Sequence, residues 1–191
     1  MALRKQLDAA SVIHGYLSGD PCLTPAVRGI SYSPVMNPTM TKVLRDLVDG
    51  GSIAALGTLH GGEPFVSMVP YALMPEGGGF LIHVSGLASH TKDMLAHPRV
   101  SLMVVADETR GAPPQARPRV TVEADAEQLA RSSADYAAAR AIYLARFPDA
   151  AQMFELGDFS LFRIRPVSAR FIAGFAQAVT LTPEAFSTAL R

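Results

Sequence analysis

Four consecutive residues, Ser89, His90, Thr91 and Lys92, gather more chemistry than any other stretch of the sequence. They follow a strand-like run, FLIHVSG, and open a helical pattern, SHTKDMLAH, with Ser89 expected as its N-cap and Pro98 beyond its end. Two hydroxyls, a cation and the unpaired N–H groups of a first helical turn would converge there. With the positive end of the helix dipole they suit a phosphate. The plainer outcome is a simple cap beside a solvated lysine.

The run PFVSMVPYAL alternates Ser67, Val69 and Tyr71 against Val66, Met68 and Pro70. Proline inside a strand predicts an edge, a bulge or a break. Unpaired backbone groups on such a strand can hydrogen-bond the rim of a planar heterocycle; an ordinary bulged edge strand is the alternative. Arg117 and Arg119 open one later strand, and Arg163, Arg165 and Arg170 recur along another. A guanidinium can fork onto phosphate or stand by an electron-accepting ring. Arg119 is the one expected to act, most of the others being an outer face or structural ion pairs.

The five histidines, His14, His60, His83, His90 and His97, contain no pair at metal-ligand spacing with a third ligand nearby, so no intrinsic metal site is expected. Any of them could ligate a haem iron, for which one imidazole suffices. Cys22 is the sole cysteine, has no evident base beside it and reads as a bystander; it excludes an internal disulfide and fits a reducing compartment. There is no GxSxG, GxxxxGK[ST] or GxGxxG motif, which removes the usual support for a hydrolase, a nucleotide triphosphatase or a dinucleotide fold. No general acid or base stands out, so no catalytic residue is named.

The 191 residues, 49% of them hydrophobic, must build a core to hold these groups, and one domain is the default at this length. Seventeen basic residues balance seventeen acidic ones, which argues against nucleic acid or an anionic membrane surface as partner. No run of roughly 18 apolar residues predicts a membrane span, and the start lacks the apolar stretch of a secretion signal. A cytoplasmic protein is expected.

Residues 1–37 hold neither period and read as an N-terminal extension to a domain over 38–191. Residues 38–51 predict a short amphipathic helix with Thr39 or Thr41 as cap, Val43, Leu44 and Leu47 on one face, and Gly50 and Gly51 as stop. Strands follow in SIAALGTL, PFVSMVPYALM, FLIHVSG, RVSLMVVA, RVTVEADAEQL and DFSLFRIRPVSARFIAGF, joined by HGGE, PEGGG and a Pro-rich loop. A capping box at Ser132 and Asp135 should start a helix carrying Tyr136, Ala139, Arg140 and Tyr143, and Thr182-Pro183-Glu184 should start another. Six strands joined by hairpins with few short helices predict a mainly β protein with peripheral helices, a closed antiparallel barrel.

In order, PFVSMVPYAL, FLIHVSGLASHTKDMLAHPRVSLMVV and ARPRVTVEADAEQL resemble the flavin-binding split-barrel family of pyridoxamine 5'-phosphate oxidases, in particular its haem-utilisation branch. The likeness spans about residues 39–182. It implies a six-stranded split β-barrel and a homodimer with FMN in the cleft between chains. By position, Ser67, Met68, Val69, Pro70 and Tyr71 would run along the flavin, and His83, Val84 and Ser85 would end the next strand near it. Ser89, His90, Thr91 and Lys92 would take the phosphate, and Arg119 would approach from the other chain. Many oxidases of the family carry Arg or Lys where Ser67 and Ala72 stand, and Arg–Lys where Ser89 and His90 stand. The chain also lacks tryptophan and the substrate-binding tail of the vitamin-forming members. The function this implies is an FMN-dependent oxidoreductase acting on a small molecule; the alternatives are a haem-binding or haem-degrading protein and a non-catalytic flavin or haem module.

Overall fold

The computed structural model describes residues 36–108, 111, 113–175 and 177–191. The expected extension over 1–37, with His14 and Cys22, lies almost wholly outside the described residues.

Helix α1 (Pro38–Gly50) starts at Asn37, whose side chain accepts from the Met40 N–H at 2.9 Å. Asn37, rather than Thr39 or Thr41, is the cap, because Pro38 is preset for the first helical position and gives up no needed donor there. The helix buries Met40, Leu44, Leu47 and Val48. Gly51 ends it at a close approach: a Cβ there would lie 2.5 Å from the Tyr71 hydroxyl.

Strand β1 (Ile53–His60) turns into β2 (Glu63–Pro70) through Gly61 and Gly62, both at positive φ, as a two-residue hairpin demands. Tyr71 interrupts the next pairing, and β3 (Ala72–Leu73) pairs with β4 (Phe80–Ser85). Helix α2 (Ser89–Ala96) precedes β5 (Arg99–Val105) and β6 (Arg119–Gln128). Helix α3 (Ala134–Arg146) runs into a 3₁₀ segment, Pro148–Glu155. Ser133, not Ser132, holds the α3 N-cap position and makes no side-chain capping bond, so the expected box is not formed. β7 (Phe159–Gly174), β8 (Gln177–Leu181) and α4 (Pro183–Ala189), capped by Thr182 as expected, complete the chain.

The strands form one antiparallel sheet in the order β2-β1-β5-β6-β7-β4-β3, with β8 also on β7. Sixteen residues let β7 serve both neighbours on one edge: Phe159–Ile164 pair with β4, and Ala169–Gly174 with β8. The change of partner falls where the β6 register slips beside Pro166, which has no N–H to give a ladder. β2 and β3 stand at opposite ends of the order yet are consecutive in the chain, so the sheet curls on itself. The seam stays open because β2 makes no ladder with β4. The architecture is thus a mainly β split barrel of eight strands, in place of the six-stranded closed one read from hairpin spacing.

Leu56, Val69, Tyr71, Phe80, Ile82, Leu102, Val122, Phe162 and Phe171 fill the interior, with Leu44 and Phe186 closing it from α1 and α4. A second cluster, Leu81, Leu129, Ala139, Tyr143, Phe154 and Leu161, lies between the outer face of β4 and β7 and the cover formed by α3 and the 3₁₀ segment. Burying side chains of this size contributes about 1.5–3 kcal/mol each.

Candidate binding site at the open seam

The seam is defined by what its strands fail to do. Ala72 pairs with Leu81; continued backwards, that register would set Pro70 against His83 and Met68 against Ser85. The chain instead diverges, leaving the second edge of β2 unpaired. Ser67 projects to the same side as Val69 and Tyr71, and its Oγ is buried without any hydrogen-bond partner. A buried orphaned hydroxyl costs about 1–3 kcal/mol and marks a place where another polar group fits.

Just past the end of β4, α2 begins without a cap. Ala88 holds the N-cap position and has no side-chain acceptor, so Ser89 is the first helical residue rather than the cap. The Thr91 and Lys92 N–H groups bond back to Ala88 O at 3.2 and 3.5 Å, while those of Ser89 and His90 have no protein acceptor. Lys92 is exposed. Two free N–H groups, the Ser89 hydroxyl, a cation and the helix dipole are donors suited to an anion.

The other sequence candidates divide by direction. Val69 and Val84 point into the core. Tyr71 is buried there too and donates to Val48 O at 2.7 Å; burial raises its phenol above the ordinary range. Met68 and Pro70 face outward and are exposed. Ser85 donates to Asp158 Oδ2 at 2.7 Å and receives the Leu87 N–H, while the buried Thr91 hydroxyl donates to Ser85 O at 2.7 Å, fastening α2 to the end of β4. The Arg119 guanidinium donates to Gln115 O and Arg117 O of its own chain. Of the remaining arginines, Arg163 and Arg165 meet Glu127, and Arg163 also meets Asp135 at 2.8 Å.

His83 faces the outer cluster. Its ring stacks on Phe154 at 3.7 Å and 4°, with Tyr143 edge-on at 5.8 Å, and both ring nitrogens are buried without partners. Burial, reinforced by the charges of Arg131 and Arg140, lowers its pKa to about 4. Tyr143 is pushed up to about 12 by burial, against an opposing hydrogen bond from the His83 backbone. The structure therefore brings Ser67, Ser89, His90 and Lys92 to the seam and α2, and sends Val69, Tyr71, His83 and Val84 into packing.

One arrangement escaped sequence reasoning. Asp93, on the second turn of α2 and only 5% exposed, accepts from Thr58 Oγ1 at 2.9 Å and bonds His60 Nδ1 at 2.9 Å. Burial alone would raise the Asp93 carboxyl, but the bonds from His60 and Thr58 outweigh it and hold the pKa below the usual value. His90 is lowered by burial, with Asp93 pulling the other way.

Residues 40–173 match the family model described as pyridoxamine 5'-phosphate oxidase. The chain belongs to that family. Within it, the chain is 38% identical over 140 residues to the chloroplastic non-canonical heme oxygenase HOZ of Arabidopsis thaliana, covering 71% of this chain and 40% of that protein. It is 34% identical over 118 residues to the heme oxygenase HutZ of Vibrio cholerae, covering 61% and 66%. The chain thus spans less than two thirds of these relatives. Among solved structures of the same fold, a heme binding protein from Mycobacterium smegmatis superposes with a TM-score of 0.70 at 30% identity, over 80% of this chain and 62% of that one. The split barrel and the family are as the sequence motifs implied. No helix among the described residues is long and apolar enough to cross a membrane, and no group of three or more His, Cys, Asp or Glu side chains among them could hold a metal ion.

Proposed function

We propose that this protein binds haem at the seam and acts in haem breakdown, as one half of a homodimer. The observation that carries the reading is the likeness to two haem oxygenases, at 38% and 34% identity, on a barrel whose seam is open. The outer face of β2, β1 and β5 supports the dimer. Val66, Met68, Ile53, Met103 and Val105 share that face by register and are 67, 62, 54, 39 and 38% exposed. An apolar surface of this kind calls for a partner, and a second copy would cover it with the same face. A reducing compartment is part of the proposal, supported by the single cysteine; the plant relative is chloroplastic.

The second reading is an FMN-dependent oxidoreductase acting on a small molecule. The fit is at the phosphate end: the uncapped α2 terminus with Lys92, and the orphaned Ser67 Oγ. Bound there, the flavin would supply the electron-transfer chemistry, while Ser89, His90 and Lys92 would hold its phosphate and the free edge of β2 would orient its ring.

Titration of the purified protein with ferric haem and, separately, with FMN decides between them. Saturable Soret changes, followed by loss of the band under a reductant and oxygen, are the expected result. Tight FMN binding with reductant turnover and no response to haem would replace the first reading with the second. In that event, Ser89→Ala with Lys92→Ala should weaken FMN by about tenfold or more, since charged hydrogen bonds contribute about 1.5–3 kcal/mol, and should leave riboflavin binding unchanged.

A further inference from the structure

His60 joins the end of β1 to α2 through Asp93, and is supported as a metal-ligating imidazole would be. It ends β1 immediately before the Gly61-Gly62 turn, and its side chain is 56% exposed. Its Nδ1 is tied to a carboxylate that is itself buried and fixed on its other oxygen by the Thr58 hydroxyl. With Asp93 ionised, Nδ1 carries the proton and the lone pair resides on Nε2. The ring edge bearing Nε2 is the one not engaged by the carboxylate. A phenyl ring, Phe65, lies 5.5 Å away from the imidazole centre to centre. A carboxylate shielded from water is sustained only by well-placed hydrogen bonds, and Asp93 has them from Thr58 and His60. The pattern Thr–Asp–His, in which each group fixes the next, is the outer-shell arrangement that sets the tautomer and raises the basicity of a ligating imidazole.

The position also suits the proposed site. Asp93 is four residues beyond Ser89, about 6 Å along the axis of α2, so the carboxylate that holds His60 and the free N–H groups of the first turn belong to one short helix. His90, three residues before Asp93, is the other imidazole within its electrostatic reach. His97, the histidine just past the C-terminal end of α2, meets Asp93 through the backbone, its N–H donating to Asp93 O.

We propose that His60 Nε2 would ligate the iron of a bound haem, with Asp93 as its positioning residue. This rests on the haem reading above. The bond forms by donation of the Nε2 lone pair to an open iron position; no electron is transferred and the Nδ1 proton stays in the hydrogen bond to Asp93. A single imidazole is enough for such a site. Phe65 would offer an aromatic face beside the ring.

The test uses the full chain and ferric haem, read by absorption and by resonance Raman after reduction. Wild type should show a histidine-ligated spectrum. His60→Gln, which keeps a donor for Asp93 but has no imidazole, should lose that signature, and added imidazole should restore it. His60→Ala should behave alike, with haem affinity down about tenfold or more, and circular dichroism should confirm that both variants fold. Asp93→Asn should retain the ligand but weaken the iron–histidine stretch and lower affinity by about 10–100-fold. His97→Ala should match wild type. If wild type binds haem and His60→Gln leaves its spectrum unchanged, His60 is not the ligand and this inference fails while the haem reading stands. If wild type shows no haem spectrum at all, both fall.

Discussion

On the half of the barrel formed by β4 and β7, the outward side chains Leu81, His83 and Leu161 are buried beneath α3 and the 3₁₀ segment, whereas on β2, β1 and β5 the outward Val66, Met68, Ile53, Met103 and Val105 stay 38–67% exposed. Both halves have apolar outer faces. One is satisfied within the chain and the other is left for something else. The two strand histidines follow the same division. His83, on the roofed half, is buried, stacked and unpartnered; His60, at the end of β1, is exposed, yet oriented by a buried carboxylate. Burial takes a polar side chain out of reach, while a fixed carboxylate partner holds an exposed one in a set orientation.

The largest effect should come from unroofing. Phe154 is 3% exposed, lies flat on His83 and carries the Arg140 guanidinium 5.1 Å above its ring centre. Phe154→Ala should cost about 3–5 kcal/mol, measured by urea unfolding, and should expose both nitrogens of His83. A loss under about 1 kcal/mol would mean that the roof is not a packed layer and that the contrast between the halves is false.

Next is the bare half. Met68→Glu places a charge amid the exposed apolar face and should convert a dimer to a monomer in sedimentation equilibrium while leaving the circular dichroism of the barrel unchanged. A protein that sediments as a monomer before the substitution, or as a dimer after it, would remove the second copy as the cover for this face.

These tests also separate what could be read along the chain from what could not. Hairpins at Gly61-Gly62, the alternation in β6 and the Thr182 cap are local and legible, because a turn type, a period of two or a capping hydroxyl is written within a few residues. The break at Tyr71 and the partner change in β7 were signalled only by Pro70 and Pro166, and their outcome depends on which strands arrive on either side. The helix terminus of α2 was legible as donors, but not the absence of a cap, since Ser89 sits one position inside the helix. His83 and His60 look alike in sequence. Their fates were set by Phe154 and Asp93, 71 and 33 positions away, and no spacing rule connects residues so distant.

The roofed half should also impose a pH dependence. His83 has a folded pKa lowered to about 4 from the ordinary 6.5, so between these values the unfolded chain binds a proton that the folded protein refuses. Stability is therefore full above about pH 6.5, falls as the pH drops toward about 4, and levels off for this group below that. His90 is shifted in the same direction and adds to the slope; Asp93, a depressed carboxylate, contributes its loss lower, below the ordinary carboxylate value. His83→Leu should flatten the slope between pH 6.5 and 4 measured by urea unfolding. An unchanged slope would assign it to His90 instead.

The smallest effect closes the comparison. Met68→Ala removes nearly as many atoms as a core truncation does, but from a side chain 62% exposed. With the protein dilute enough to be monomeric, its stability should move by less than about 0.5 kcal/mol, as for ordinary surface changes. At concentrations where two copies associate, the same substitution should shift the dimer midpoint toward higher protein concentration, because the lost contacts then belong to an interface. A cost of several kcal/mol in the monomer would show that Met68 is already packed within its own chain, and the bare half would be bare no longer.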